Sequence, residues 1–205
     1  MTLTPTGQRQ LACSLVASDP QQAFAVARAI EDPWFKCQAL AYVGRYWPES
    51  DFGRFLREAT KAAESQDNWY KRVTVSAWPI RAYLERDCSP PAQKLLERCI
   101  KEVTSIENLG GRSEALTMVF QAAKPFDRSL WEPVFWALVK ATEPAIAWRQ
   151  LRNLRLTAAM VASDHPDLLQ KGVESLSDEK IVAAIKRDVE NHKSAEPRPF
   201  FWLEH

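Results

Sequence analysis

Apolar residues recur every three or four positions along nearly the whole chain. Cys37, Leu40, Ala41, Gly44 and Trp47 follow the i, i+3, i+4, i+7, i+10 series of one helix face. Phe52, Phe55, Leu56, Ala59 and Ala63 repeat it, as do Leu95, Leu96, Cys99, Ile100 and Val103. Leu116, Val119, Phe120 and Ala123 follow, then Ile181, Val182, Ile185 and Val189. No stretch shows the alternation with period two that marks a half-buried strand. The pattern predicts an all-α chain with helices over 7–18, 20–31, 33–47, 51–65, 68–86, 90–105, 110–124, 129–142, 145–163, 166–176 and 178–193.

The breaks are as regular as the faces. Asp19-Pro20, Asp32-Pro33 and Ser89-Pro90 each put a capping side chain before a proline. The cap oxygen accepts a free backbone N–H, and the proline sits where its missing N–H costs nothing. Asp164 with Pro166 is a looser version, and Ser177 precedes Asp178-Glu179, whose negative charge suits a helix N-terminus. Pro79 lies inside the helix predicted over 68–86 and is expected to kink it near Trp78. Pro133 falls in the first turn of its helix.

The same signals repeat at long range. Asp32-Pro33-Trp34-Phe35-Lys36 and Asp67-Asn68-Trp69-Tyr70-Lys71 share the pattern D-x-W-[FY]-K, 35 positions apart. Lys36-Cys37-Gln38-Ala39-Leu40 and Arg112-Ser113-Glu114-Ala115-Leu116 share [KR]-x-x-A-L, 76 positions apart, which is two repeats of about 38 residues. Arg9-x-x-Ala12 and Trp148-Arg149 are weaker copies, so a basic residue recurs at 9, 36, 71, 112 and 149. Val16-Ala17-Ser18-Asp19-Pro20 returns as Val161-Ala162-Ser163-Asp164-His165-Pro166 with one residue inserted. Short turns between amphipathic helices make antiparallel hairpins, and hairpins at a fixed period stack into a solenoid.

The D-x-x-[apolar]-[KR] start followed by an A-L step resembles HEAT-type α-solenoid repeats. It also resembles bacterial helical repeats of the I-x-D-P-x-x-[KR]-x-x-A-L kind, through Ile30, Asp32, Pro33, Lys36, Ala39 and Leu40. The resemblance extends over residues 7–193 and implies a right-handed α-α superhelix of about five antiparallel helix pairs. The tetratricopeptide pattern fits less well, because the repeat length varies and the W-x-x-L-G core is missing. HEAT-like families serve mostly as scaffolds and binding platforms. A few members are enzymes, among them a DNA glycosylase group and bilin lyases, but no catalytic motif of either occurs in this sequence. Residues 1–195 are expected to form one solenoid domain, 196–202 a Pro/aromatic tail, and 203–205 the remnant of an expression tag.

Composition narrows the function. The formal net charge is +1, from 27 basic and 26 acidic residues, so no global field draws the protein to nucleic acid or an anionic membrane. No apolar run reaches membrane length and no signal peptide is visible, which predicts a cytoplasmic protein. Cys13, Cys37, Cys88 and Cys99 lack CxxC spacing and read as small buried residues in a reducing compartment. Catalytic signatures are absent: no HExxH, GxSxG, Walker loop or GxGxxG. Gly110-Gly111, the one pair of adjacent glycines, begins a helix and looks like a turn. With His165 and His192 apart from the cysteines, neither a metal site nor a cofactor is expected.

Three features are candidates for function. The column Lys36, Lys71, Arg112 and Arg149 reads either as a positive stripe or as a ladder of internal pairs such as Asp32–Lys36 and Asp67–Lys71. The helix over 145–163 carries Arg149, Arg152 and Arg155 and no acid; it is either an anion-binding face or one neutralised by neighbours such as Glu132 or Glu174. Of the eight tryptophans, Trp69, Trp78, Trp131, Trp136 and Trp148 stand at or near helical apolar positions and Trp34 in a first turn. Most should be core, with one or two free to meet a ligand. In the tail, Phe200, Phe201 and Trp202 would either cap the last helix pair or make a self-association surface. The leading expectation is a non-catalytic protein- or peptide-binding scaffold. Trp69 and Trp148 would serve as apolar anchors, and Lys36, Lys71, Arg112, Arg149 and Arg152 would select an acidic partner. The alternatives are nucleic-acid binding on the same face, with glycosylase-like chemistry, and a structural module of a larger assembly.

Overall fold

A computed structural model describes residues 3–48, 50–141 and 148–190. Among these residues there is no strand. The chain is all-α, with α1 (Pro5–Leu15), α2 (Pro20–Ala29), α3 (Pro33–Tyr46), α4 (Gly53–Glu64), α5 (Trp69–Val75), α6 (Ala77–Glu85), α7 (Ser89–Glu102), α8 (Leu109–Ala123), α9 (Arg128–Ala141), α10 (Trp148–Ala162), α11 (Pro166–Glu174) and α12 (Glu179–Glu190). Single 3-10 turns precede α4 at Ser50–Phe52 and follow α7 at Val103–Ser105. None of the described helices is long and apolar enough to cross a membrane. His192 and the tail residues Phe200, Phe201 and Trp202 lie outside the described residues.

The predicted caps form at two of the proline starts. Asp19 accepts from the N–H of Gln22 at 2.9 Å, and Asp32 from those of Trp34 and Phe35 at 2.8 and 3.3 Å. Thr4 caps α1 in the same way, two residues earlier than the apolar pattern places the helix. Two other signals work differently. Asp178, not Ser177, caps α12, accepting from Lys180 and Ile181. Asp164 leaves the α11 start uncapped and instead meets Lys124 Nζ at 2.7 Å.

The helix predicted over 68–86 is two helices that meet at Ser76. Pro79 cannot donate to the Val75 carbonyl four residues back, and its ring crowds that oxygen. The break therefore lies upstream of Trp78, where the kink was expected. The thiol of Cys37, on α3, takes up the freed carbonyl of Val75 at 3.6 Å. The Ser76 hydroxyl donates to Arg72 O at 2.8 Å and ties off the end of α5.

Two compact units make up the chain, Met1–Glu102 and Val103–His205. In the first, α3 is the hub. Every residue from Cys37 to Gly44 is buried, which a helix tolerates only when packed on all sides; α3 packs on α1, α2, α4, α5 and α6. Gly44 allows the closest of these approaches, since a Cβ there would lie 2.5 Å from Leu56 Cδ2 on α4. Arg86 donates to the carbonyls of Arg45 and Trp47 at the end of α3, where a cation suits both the free oxygens and the helix dipole.

In the second unit α8 plays this part, with Ala115–Thr117 and Val119–Ala123 buried against α9 and α10. Both hubs begin with the [KR]-x-x-A-L signal, whose Ala39, Leu40, Ala115 and Leu116 are all buried. The α8–α10 contact has a polar seam, in which Asn153 Nδ2 donates to Ser113 Oγ at 3.0 Å, while Ser113 Oγ itself donates within α8 to Gly110 O at 3.0 Å. Such a seam fixes the register of two helices, because sliding would strand its donors.

Candidate functional site

Trp148 is the first described residue of α10 and has its side chain in water; the residue is 65% exposed, the most of any large apolar residue described. Two guanidinium groups attend its ring, Arg149 at 5.8 Å and Arg152 at 5.3 Å from the centroid. Both arginines are exposed, and neither has a hydrogen bond or ion pair with a described residue. The aliphatic stem of Arg149 lies over the start of α8, 3.8 Å from where a side chain on Gly110 would begin.

The opposite side of α10 is firmly held. Gln150 Nε2 donates to Ala141 O at 3.3 Å, Asn153 holds Ser113, and Arg155 grips both oxygens of Asp188 on α12. The Asp188 hydrogen bonds push the Arg155 guanidinium above its ordinary value. The acids expected to neutralise this helix are engaged elsewhere: Glu132 by Arg128 and Trp136, Glu174 by Gln170. Arg155 is thus spent on structure, whereas Arg149 and Arg152 hold two positive charges against one ring. A ring face attracts a cation, but two cations beside it repel each other, and an anion between them relieves that repulsion.

The other predicted site residues are placed differently. Trp69 opens α5, is 41% exposed, and has Arg72 over its ring at 4.5 Å. Arg72 also donates to Gln66 O at 3.4 Å and lies 3.9 Å from Glu102. Lys71 Nζ sits 3.0 Å from Asp67, and its hydrogen bond holds the Asp67 carboxyl below the usual carboxylate range. Arg112 turns back to donate to Thr104 O at 2.8 Å and to Ile106 O, securing the turn before α8. Lys36 is half-buried; its expected partner Asp32 is taken up as the α3 cap, so that pair does not form. The basic column is therefore not uniform: Lys36 and Arg149 hold neither an acid nor a carbonyl among the described residues, and of these two only Arg149 is exposed.

One depression carries residues that no motif indicated. It opens on the first unit among α4, α6 and α7, holds about 430 Å³, and is lined by Arg57, Thr60, Lys61 and Glu64 of α4, Tyr83 of α6, and Pro91, Lys94, Leu95 and Arg98 of α7. The available signal was the i, i+4 spacing of Arg57 with Lys61 and of Lys94 with Arg98. Which helices would face each other was not written in either pair.

No family model, curated protein or solved structure matches the chain. The functional reading therefore rests on geometry. Among the described residues no group of three or more His, Cys, Asp or Glu side chains could hold a metal ion. All four cysteines are unbridged. Burial pushes the Cys13 thiol up to about 11 and the Cys99 thiol to about 12, and raises Cys37 further. At neutral pH these three stay protonated, and a protonated thiol is a poor nucleophile.

Proposed function

We propose that this chain is a non-catalytic binding module for an acidic segment of a protein partner, which docks on Trp148, Arg149 and Arg152. The observation that carries the reading is the exposed indole flanked by two arginines that no described acid neutralises. Trp and Arg are the side chains most often responsible for binding energy at protein interfaces. An apolar side chain next to a carboxylate would meet the ring and the guanidinium groups together. The Arg155–Asp188 and Asn153–Ser113 bonds hold α10 in place, so little of this surface has to be ordered when the partner binds.

The scaffold we propose is a right-handed HEAT-like solenoid of about five antiparallel helix pairs. Packing within each unit supports it, since helices contact the next helix and the next but one: α1 with α2 and α3, α8 with α9 and α10, α10 with α11 and α12. In such a stack the second helices of the pairs present their first turns, where Trp69 and Trp148 stand, to a ligand. The unbridged thiols fit the cytoplasmic location we assign to it.

The test is fluorescence anisotropy with a labelled short Asp/Glu-rich peptide containing one leucine, and a Lys-rich peptide as control. The acidic peptide should bind saturably and weaken with salt, and Trp148→Ala should release it. Binding that survives Trp148→Ala would refute the site. Tighter binding of a single-stranded oligonucleotide would assign the surface to nucleic acid instead.

A further inference from the structure

We infer that the depression among α4, α6 and α7 is a second binding site, one for a small organic phosphate. Four cationic side chains line it, Arg57 and Lys61 from one wall and Lys94 and Arg98 from the other. Its one carboxylate, Glu64, is already bound by Arg98. Arg57, Lys61 and Lys94 have no hydrogen bond or ion pair with any described residue. Arg98 also lies 3.8 Å from Glu102, so its charge is answered, although its Nε and Nη2 are buried without a hydrogen-bond acceptor among the described residues. Surface cations that face one another across a helix pair are usually interleaved with acids, as Arg28 and Glu58 are on α2 and α4. Three cations without described partners around one concavity call for a multiply charged anion.

The rest of the lining says what the anion is attached to. Tyr83 is buried, its hydroxyl hydrogen-bonded with that of Thr60. Its ring, Leu95 and Pro91 give the depression an apolar wall beside the cations. A volume of about 430 Å³ falls within the range of small-molecule pockets, roughly 300–1,000 Å³. A phosphate dianion uses several cations at once, and an arginine fork meets two of its oxygens together, a match that a single carboxylate makes less fully. The ligand class is therefore a phosphate ester whose apolar or aromatic body rests on Tyr83, Leu95 and Pro91.

The probe is phenyl phosphate, compared with inorganic phosphate at matched ionic strength, both titrated into the full chain and followed by backbone amide NMR. Phenyl phosphate should saturate with a dissociation constant below about 1 mM, shift amides in residues 57–64 and 91–98, and bind more tightly than inorganic phosphate. The double substitution Lys61→Ala with Lys94→Ala removes two exposed side chains without described partners. It should keep the wild-type Tm and weaken phenyl phosphate by about tenfold or more. Trp148→Ala should leave this binding unchanged, which separates the site from the acidic-segment surface. Absence of saturation, equal affinity for the two phosphates, or unchanged affinity in the folded double variant would each overturn the inference.

Discussion

Two helices of this protein carry, at their first described residue, an exposed tryptophan covered by arginine, and the two places are equipped for different ends. At α5, in the first unit, Arg72 over Trp69 is also held by Gln66 O and lies near Glu102, and the adjacent Lys71 is paired with Asp67. At α10, in the second unit, Arg149 and Arg152 stand over Trp148 with no acid among the described residues. The residue types are the same, and the counter-charges decide the outcome. Where the protein supplies its own carboxylates, the indole and cations form a closed surface cluster. Where it does not, the same groups remain available to a partner's carboxylates. A basic aromatic surface has to be judged by its unmatched charge, not by its composition.

The comparison breaks most visibly on tryptophan removal. Trp148→Ala should cost about 2 kcal/mol of acidic-peptide binding, roughly thirtyfold; Trp69→Ala should change it less than about twofold. Titration of both variants by anisotropy separates them, and equal losses would erase the distinction between the two starts.

Next in size is the support beneath α10. Asn153→Ala removes the bond that the buried Ser113 Oγ accepts, leaves a gap in the α8–α10 contact, and should lower stability by about 1–3 kcal/mol, read as a shift in urea midpoint. Cys37→Ala, which removes the weak thiol bond to Val75 beneath the end of α5, should cost less, about 1 kcal/mol.

The comparison can also be reversed. Asp67→Asn with Glu102→Gln removes the internal counter-charges at α5, and a second, weaker acidic-peptide site that depends on Trp69 should then appear. The exposed Asp67 pair contributes little, so most of any stability loss should come from Glu102, which is largely covered and lies near both Arg72 and Arg98. A doubly substituted protein that still binds only at Trp148 would mean that something besides counter-charge separates the two surfaces.

The smallest effect is in pH. Hydrogen bonds from Lys71 and from Lys124 hold Asp67 and Asp164 below the ordinary aspartate value of 3.8 in the folded chain. A carboxyl depressed on folding stabilises the fold above its unfolded value and loses that contribution as pH falls through the folded one. Asp164→Asn should therefore lower stability slightly near pH 7, leave it unchanged in strong acid, and so flatten its fall below about pH 4. An unchanged acid limb in calorimetry would count against this pair.

Much of the architecture was legible before the coordinates. Helical spacing located the elements and proline starts located two caps; the [KR]-x-x-A-L signal falls on both buried hubs, a role that its repetition alone does not give. What could not be read is shown best by the two copies of D-x-W-[FY]-K. In the first, Pro33 occupies the first helical position, so Asp32 must be the cap and its carboxylate is lost to Lys36. In the second, Asn68 is the cap, so the helix starts one residue later in the motif and Asp67 stays outside, free for Lys71. That one-residue offset also turns the tryptophans apart. Trp34 is half-buried, its ring centroid 6.1 Å from that of Trp78, while Trp69 faces solvent. Arg112 is similar: its signal was visible, but its use on the carbonyls of Thr104 and Ile106 depended on a turn that the pattern does not describe. The α4–α7 depression escaped notice because its cations belong to helices distant in sequence, and only tertiary packing brings them together.

The most direct test of the central claim is charge reversal at α10. The variant Arg149→Glu with Arg152→Glu should fold with wild-type stability, lose the Asp/Glu-rich peptide by about a hundredfold, and gain measurable affinity for the Lys-rich control. If that variant binds the acidic peptide as the wild type does, the arginines at Trp148 are not the recognition element and the proposed site is wrong.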